Sequence, residues 1–366
     1  MVASIRHMFP GGNTSKGFYS FYRYILSQEE ARRIICIKGG PGTGKSSLMK
    51  NVGTYFNNKG YDIEYHHCSS DNNSLDGVVI KKLNVALLDG TSPHVVDPIT
   101  PGAVDEILNM GQCWREEGFK GSKKQIMDIS REIGKTFKRA YRYLGAAKFI
   151  HDDWSNYNSE ALNYSKLSHF KEEFKEKLLK SSVSNLGTDR HLFATAFTPN
   201  GIVTYVDSLY KECNNIYVLN GGPSTGKTEI LKYISEEALR RGFYVEIYHD
   251  PFIPERLEHL IIPKLSLAVL SSNEINRKLF VGNQIYMEDL CNKSVFNKYR
   301  EEIQYTKDTF YSLIQKGLAI ISSAKALHDE LEEYYIGNMD FSKLDSVNKD
   351  ILNRIEGYEK EFISNS

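Results

Sequence analysis

Gly39-Gly40-Pro41-Gly42-Thr43-Gly44-Lys45-Ser46 and, 182 residues further on, Gly221-Gly222-Pro223-Ser224-Thr225-Gly226-Lys227-Thr228 decide how this chain is read. Both fit the pattern G-x-x-x-x-G-K-[ST]. Each follows a short apolar run, Ile34 to Lys38 and Ile216 to Asn220, and each leads into a helical pattern. A strand, a glycine-rich turn and a helix in that order bring backbone N–H groups together at a helix N-terminus, where they can wrap an anion. The glycines let the turn close tightly and supply the backbone conformations it needs. Two such turns predict two phosphate-binding loops.

The likeness runs well beyond the loops. At the same offset of 182, Gly60 maps to Gly242, Glu64 to Glu246, His67 to His249, Leu75 to Leu257 and Lys82-Leu83 to Lys264-Leu265. Upstream, an offset of 184 pairs Arg6-His7 and Phe9 with Arg190-His191 and Phe193. Downstream, an offset of 177 pairs Ala147-Lys148, His151-Asp152 and Ser165-Lys166-Leu167 with Ala324-Lys325, His328-Asp329 and Ser342-Lys343-Leu344. One region of about 180 residues has been duplicated, and such self-similarity governs the fold expectation. The expected domains are 1–185 and 186–366, joined through the Ser/Asn/Gly-rich stretch 181–188. The fold class read from the pattern is α/β: two tandem domains, each with a doubly wound, mainly parallel sheet and a helical extension. In each copy the reading gives an opening extended segment, a helix (19–26 and 203–212), the loop strand, the loop and its helix. A second strand (62–66, 244–248) and a buried apolar third (83–88, 265–270) follow. Leu167, Phe170, Phe174 and Leu178, repeated as Leu344, Val347, Ile351 and Ile355, predict an apolar helical stripe near the end of each copy.

The pattern assigns roles to individual residues. Gly39 to Gly44 and Gly221 to Gly226 would cradle phosphates, with the first helical residues Lys45, Ser46 and Ser47, and Lys227, Thr228 and Glu229, beside them. Lys45 and Lys227 would reach the terminal phosphates, and the hydroxyls of Ser46 and Thr228 would face Mg²⁺. Turnover needs a further carboxylate on the metal side. Asp89 ends the third apolar run of the first copy, where such a group sits. Position 271 of the second copy is serine, so the second loop reads as a binding site that has lost part of its chemistry, although Glu274 lies three residues on and could substitute. Beyond Asp89, His94 and Asp97 are candidate catalytic residues, with Asp105 and Glu106 also able to polarise water; each equally reads as an ordinary loop or cap residue. Asp71 and Asp76 carry the same two readings. The basic residues Arg131, Lys135, Lys138, Arg139 and Arg142 recur at helical spacing, as a lid over phosphate, a nucleic-acid contact or, more simply, a solvated face. The repeated Arg6 and Arg190 suggest arginines that cross to the opposite nucleotide.

Composition narrows the class. The chain of 366 residues has 46 basic and 46 acidic residues, so it is not a general polyanion binder, and nucleic acid is not favoured. The balance hides a split: 26 basic and 20 acidic residues in 1–185, with the reverse in 186–366. That split reads either as surface drift or as complementarity between the halves. Five cysteines without a C-x-x-C pair indicate neither a disulfide framework nor a zinc site. No apolar signal core or membrane-length stretch is present, so the expectation is a cytoplasmic protein without a membrane partner.

These residues resemble the P-loop NTPase superfamily, whose Walker A motif both loops match. More narrowly, the two GGPxTGK loops, the segment Leu88-Asp89-Gly90-Thr91-Ser92-Pro93-His94-Val95-Val96-Asp97-Pro98 and the helical tails resemble a family of uncharacterised bacterial tandem P-loop ATP-binding proteins. The resemblance implies ATP as the nucleotide and Mg²⁺ as the ion. The resulting expectation is a Mg²⁺-dependent ATPase that hydrolyses at the first P-loop and binds at the second. Two alternatives stand beside it: a kinase acting on a small molecule held by the 89–106 loop and the basic helix, and a nucleotide switch whose helical tails bind a protein partner.

Overall fold

The computed structural model describes residues 3–92 and 95–364. The chain forms two compact units: residues 1–11, 20–138 and 320–366 make one, and residues 12–19 and 139–319 the other. These are not the two halves of the repeat. Each P-loop core is completed by the terminal helical segment of the opposite copy. The charge split between the halves then nearly disappears, because the first unit holds 22 basic and 24 acidic residues and the second 24 and 22.

The first unit is built on a six-stranded sheet in the order Ile5–Met8, Ile63–His67, Leu75–Ile80, Val85–Asp89, Arg33–Lys38, Asp105–Asn109. The P-loop strand Arg33–Lys38 lies parallel to both its neighbours, and Asp89 is in register with Ile37. The second sheet repeats the order with Thr188–Leu192, Tyr244–His249, Leu257–Ile262, Leu267–Ser272, Asn215–Asn220 and Asn283–Tyr286. Ser271 is in register with Leu219, the counterpart of Asp89 opposite Ile37. Even the irregularity between His66 and His67 recurs between Tyr248 and His249. Both sheets are thus α/β and mostly parallel, as the pattern predicts.

Three local expectations change. Leu75–Ile80 and Leu257–Ile262 are additional strands, antiparallel to both neighbours. Asp105–Asn109, at the end of the segment read as loop, is an edge strand, and Asn283–Tyr286 takes the same place in the second sheet. The helices expected at 19–26 and 203–212 shrink to single turns, Tyr22–Tyr24 and Val206–Leu209. They follow the hairpins Gly11–Thr14/Gly17–Ser20 and Thr195–Thr198/Gly201–Thr204, whose Gly17 and Gly201 adopt φ of +100° and +94°. Such a turn favours a hairpin over a continuing helix.

The apolar stripes find their partners within each unit. Ile351 and Ile355 of the helix Phe341–Ser364 are buried with Ile35, Leu48, Val52 and Val78, and Leu344 and Val347 pack beside them. In the second unit Leu167 and Phe174 of the helix Tyr164–Leu178 join Leu219, Ile230, Leu231 and Val269. Among the described residues no helix is long and apolar enough to cross a membrane.

Candidate functional sites at the two P-loops

At the first loop, Gly44 takes φ +83° immediately before the helix Lys45–Asn58, and Gly42 takes +67°. Lys45 is buried at the helix N-terminus. Its Nζ donates to the carbonyls of Gly39 at 3.0 Å and Gly40 at 2.7 Å, and lies 3.5 Å from Asp89 Oδ2. Asp89 Oδ1 accepts the backbone N–H of Thr91, whose hydroxyl donates to Gly39 O at 2.8 Å. The loop, its lysine and the strand-end carboxylate are thereby joined. Thr43 closes the turn on Gly40 O, and Ser46 Oγ accepts from Leu75 N at 3.0 Å, while Ser47 is exposed. Pro41 completes the turn between them.

Helical residues from the end of the chain line this loop. A Cβ on Gly40 would meet the Tyr335 ring at 2.6 Å, and one on Gly42 would meet Ile336 at 2.8 Å and the Glu332 carbonyl at 3.1 Å. One turn earlier, His328, Asp329 and Glu332 bring their ligand atoms within 4.8 Å of one another. Lys325 neutralises part of this group, pairing with Asp329 and lying 3.5 Å from Asp71.

The remaining candidates of the first copy separate. Asp97 is exposed and bonded at 2.8 Å to Lys38 Nζ, which also donates to the carbonyls of Gly90 and Val96. That hydrogen bond and charge hold the Asp97 carboxyl below its usual range. Lys38 therefore ties the loop beyond Asp89 to the end of the P-loop strand, with Asp97 as one of its anchors. Asp105 is buried and accepts from the backbone of Ile99 and Thr100, and Glu106 pairs with Arg354. Asp76 accepts from Tyr22, and Asp71 caps its own turn at Asn73 and Ser74. Each of these four carboxylates is engaged by a named partner. His94 lies outside the described residues. Arg6 sits 3.3 Å from Glu64 on the edge strand of its own sheet, and Arg190, on the matching edge strand of the second sheet, is in register with Glu246. The basic helix face is exposed, with Arg131 and Lys135 paired to Asp128 and Glu132 on the same helix, which fits a solvated face.

The second loop repeats the first and adds polar groups that the sequence pattern did not single out. Gly226 takes φ +99° before the helix Lys227–Arg240, and Ser224 adopts the left-handed conformation of Gly42 at φ +52°. Lys227 Nζ donates to Gly221 O at 2.6 Å and Gly222 O at 2.5 Å, and Thr225 closes the turn on Gly222 O. Asn158 donates to Pro223 O at 2.7 Å and approaches Gly222. It occupies the place that Tyr335 takes at the first loop, 177 residues on.

A cavity of about 130 Å³ opens beside this loop, lined by Lys227, Thr228, Glu229, Asp250, Arg256, Ser271, Asn273 and Glu274 among others. Pockets enclosing a whole small molecule run to roughly 300–1,000 Å³, so this one is smaller than such a site. Glu274 Oε1 meets His151 Nε2 at 2.7 Å, and Tyr311 donates to the Glu274 carbonyl at 3.1 Å. Burial pushes the Glu274 carboxyl up, but the His151 hydrogen bond and the Lys227 charge prevail and hold it at about 2. Burial lowers Lys227, against the charges of Glu274 and Asp250. Beneath them burial, then the Asp250 charge, push Glu258 up to about 8. Asn273 and Asn276 both donate to Glu258 Oε1. Among the described residues, Ser271 Oγ and Glu274 Oε2 are buried without a hydrogen-bond partner. Unpaired buried oxygens are costly, so these atoms favour a ligand. Serine or threonine hydroxyl and carboxylate are the hard donors that Mg²⁺ takes. Ser46 with Asp89, and Thr228 with Glu274, offer that set.

With this geometry in place, comparison with family models finds similarity to "Nephrocystin 3, N-terminal" over residues 20–88. The matched stretch contains the first P-loop, its helix and the following strands, and ends one residue before Asp89. Comparisons with curated proteins and with solved structures give no match.

The sequence did mark one overlooked group. His151 and His328 stand out as a repeated His-Asp pair, but nothing local indicates that this helix reaches a P-loop. Asp250 and Arg256 carried no signal at all.

Proposed function

We propose that this chain binds Mg²⁺ and a nucleoside triphosphate, ATP by its resemblance, at both P-loops, and hydrolyses it at the first. The observation carrying this reading is Asp89. It ends the strand beside and parallel to the P-loop strand, 3.5 Å from the P-loop lysine, and its backbone neighbour Thr91 is bonded to the loop itself. The backbone N–H groups of residues 42–46 bind the phosphates, and Lys45 supplies positive charge at their terminal end. Ser46 and Asp89 would hold the ion, which supplies charge neutralisation on the phosphate oxygens. The contacts from Tyr335, Ile336 and Glu332 restrict solvent at the loop, and charge stabilisation gains strength where water is excluded.

Steady-state phosphate release tests the assignment. Lys45→Ala and Asp89→Asn should each lower turnover by about 100-fold or more, while Lys227→Ala leaves most of it. Release that survives Lys45→Ala and vanishes in Lys227→Ala would move the chemistry to the second loop.

A further inference from the structure

We propose that Glu274, held by His151, is the carboxylate that takes the divalent cation at the second P-loop, where the strand-end position carries only Ser271. This rests on the reading of the second loop as a nucleotide site. The two copies have exchanged residues at a pair of positions. The first has Asp89 and Ser92, and the second has Ser271 and Glu274, three residues apart in each case. A carboxylate lost from the strand end has its counterpart on the turn that follows.

That turn is built to present it. Asn273 Oδ1 accepts the backbone N–H groups of Ile275 and Asn276, and Asn276 Nδ2 donates to Ser271 O at 2.9 Å and to buried Glu258 at 2.8 Å. The Glu274 carbonyl is fixed by Tyr311, and Arg277, at φ +45°, lies over the Tyr311 ring. The side chain is fixed separately. His151 occupies Oε1, leaving Oε2 buried and without a partner among the described residues, in a cavity shared with Lys227 and Thr228. A carboxylate with one oxygen committed to a buried histidine and the other uncommitted, beside a hydroxyl and a phosphate-binding loop, has the chemistry of an oriented cation ligand. Ser271 Oγ lies in the same lining and is also uncommitted. His151 is then a positioning residue, supplied by the first copy's helix.

The test uses the full chain carrying Lys45→Ala, which silences the first loop, with an imido analogue of ATP and Mn²⁺ as probes. Nucleotide binding is measured calorimetrically in EDTA and in Mn²⁺, and bound Mn²⁺ by electron paramagnetic resonance. Glu274→Gln should weaken Mn²⁺ in the complex by about 10-fold or more, and His151→Gln by about 10-fold, while nucleotide binding in EDTA does not weaken in either variant. Unchanged Mn²⁺ affinity in Glu274→Gln, or nucleotide affinity indifferent to Mn²⁺, overturns the proposal while leaving the nucleotide site standing. No nucleotide binding in either condition overturns the site and the proposal with it. Should Glu274→Gln not fold, His151→Gln decides, because it keeps the carboxylate: unchanged Mn²⁺ affinity there overturns the proposal.

Discussion

Replacing His151 with phenylalanine removes a single donor from a buried charge. The imidazole sits among the rings of Trp154, Phe252 and Phe310, with centroids at 6.3, 5.5 and 5.4 Å, so a phenyl ring suits the surroundings. What it cannot do is donate to Glu274 Oε1. A hydrogen bond to a charged group contributes about 1.5–3 kcal/mol. A second route gives a similar figure. The Glu274 carboxyl drops from 4.5 to about 2 against the opposing effect of burial. At ~1.36 kcal/mol per unit this is about 3 kcal/mol, shared between His151 and Lys227. The expected cost of His151→Phe at pH 7 is therefore about 2–3 kcal/mol. Because the folded value is depressed, this stability is fully present above pH 4.5 and is lost as pH falls towards 2; by pH 3 about half is gone. The measurement is a double-mutant cycle of His151→Phe and Glu274→Gln. With two compact units a single unfolding transition is not assured, so stability is read from amide exchange along the helix Lys227–Arg240. The coupling should exceed about 1 kcal/mol at pH 7 and shrink by about half at pH 3. Additive single mutants, or a coupling equal at both pH values, would refute the reasoning.

Two further outcomes follow from the same geometry. Glu258, raised to about 8, contributes stability below the usual carboxylate range that is lost as pH rises through 8; Glu258→Gln should therefore exceed the parent by at least about 1 kcal/mol at pH 9 and lose that advantage at pH 5, with amide exchange along the helix Lys227–Arg240 at the two pH values as the check. Gly40→Ala drives a Cβ to 2.6 Å from the Tyr335 ring and should destabilise the first unit by about 1–3 kcal/mol; adding Gly40→Ala to Tyr335→Leu should cost far less, and equal costs in both backgrounds would show that the ring is not what the methyl group meets.

Much of the core was legible because its signals are local. A P-loop combines a glycine pattern with an apolar strand, and duplication supplied an internal check: Asp89 opposite Ile37 and Ser271 opposite Leu219 reproduce the sequence offset in the sheet register. The strands Leu75–Ile80 and Asp105–Asn109 escaped because one is joined to its neighbours by short antiparallel turns, where the pattern suggested a helical crossover, and the other is a short edge with little periodicity. The site was half legible. Lys45, Asp89 and Lys227 stand where their motif implies. His151 and Tyr335 could not be placed, since an amphipathic stripe reveals that a helix face is buried but not which surface covers it. Asp97 shows a related limit: sequence proximity to the loop does not reveal that a neighbouring lysine, Lys38, engages the acid.

The composition of the units sets a limit on what the halves of this protein can be. The sequence repeat is the unit of descent, whereas each unit of stability draws on both repeats. A chain ending near residue 185 would keep the first P-loop but lack Tyr335, Leu344, Ile351 and Ile355, and would carry Asn158 and Leu167 with no second loop to receive them. A single repeat could meet those contacts by giving its tail to another molecule and taking one in return. Joining two repeats in one polypeptide made that exchange unimolecular. It also freed each tail to specialise for a loop other than its own, so that His151 could be selected beside Glu274 while its relative His328 kept different company.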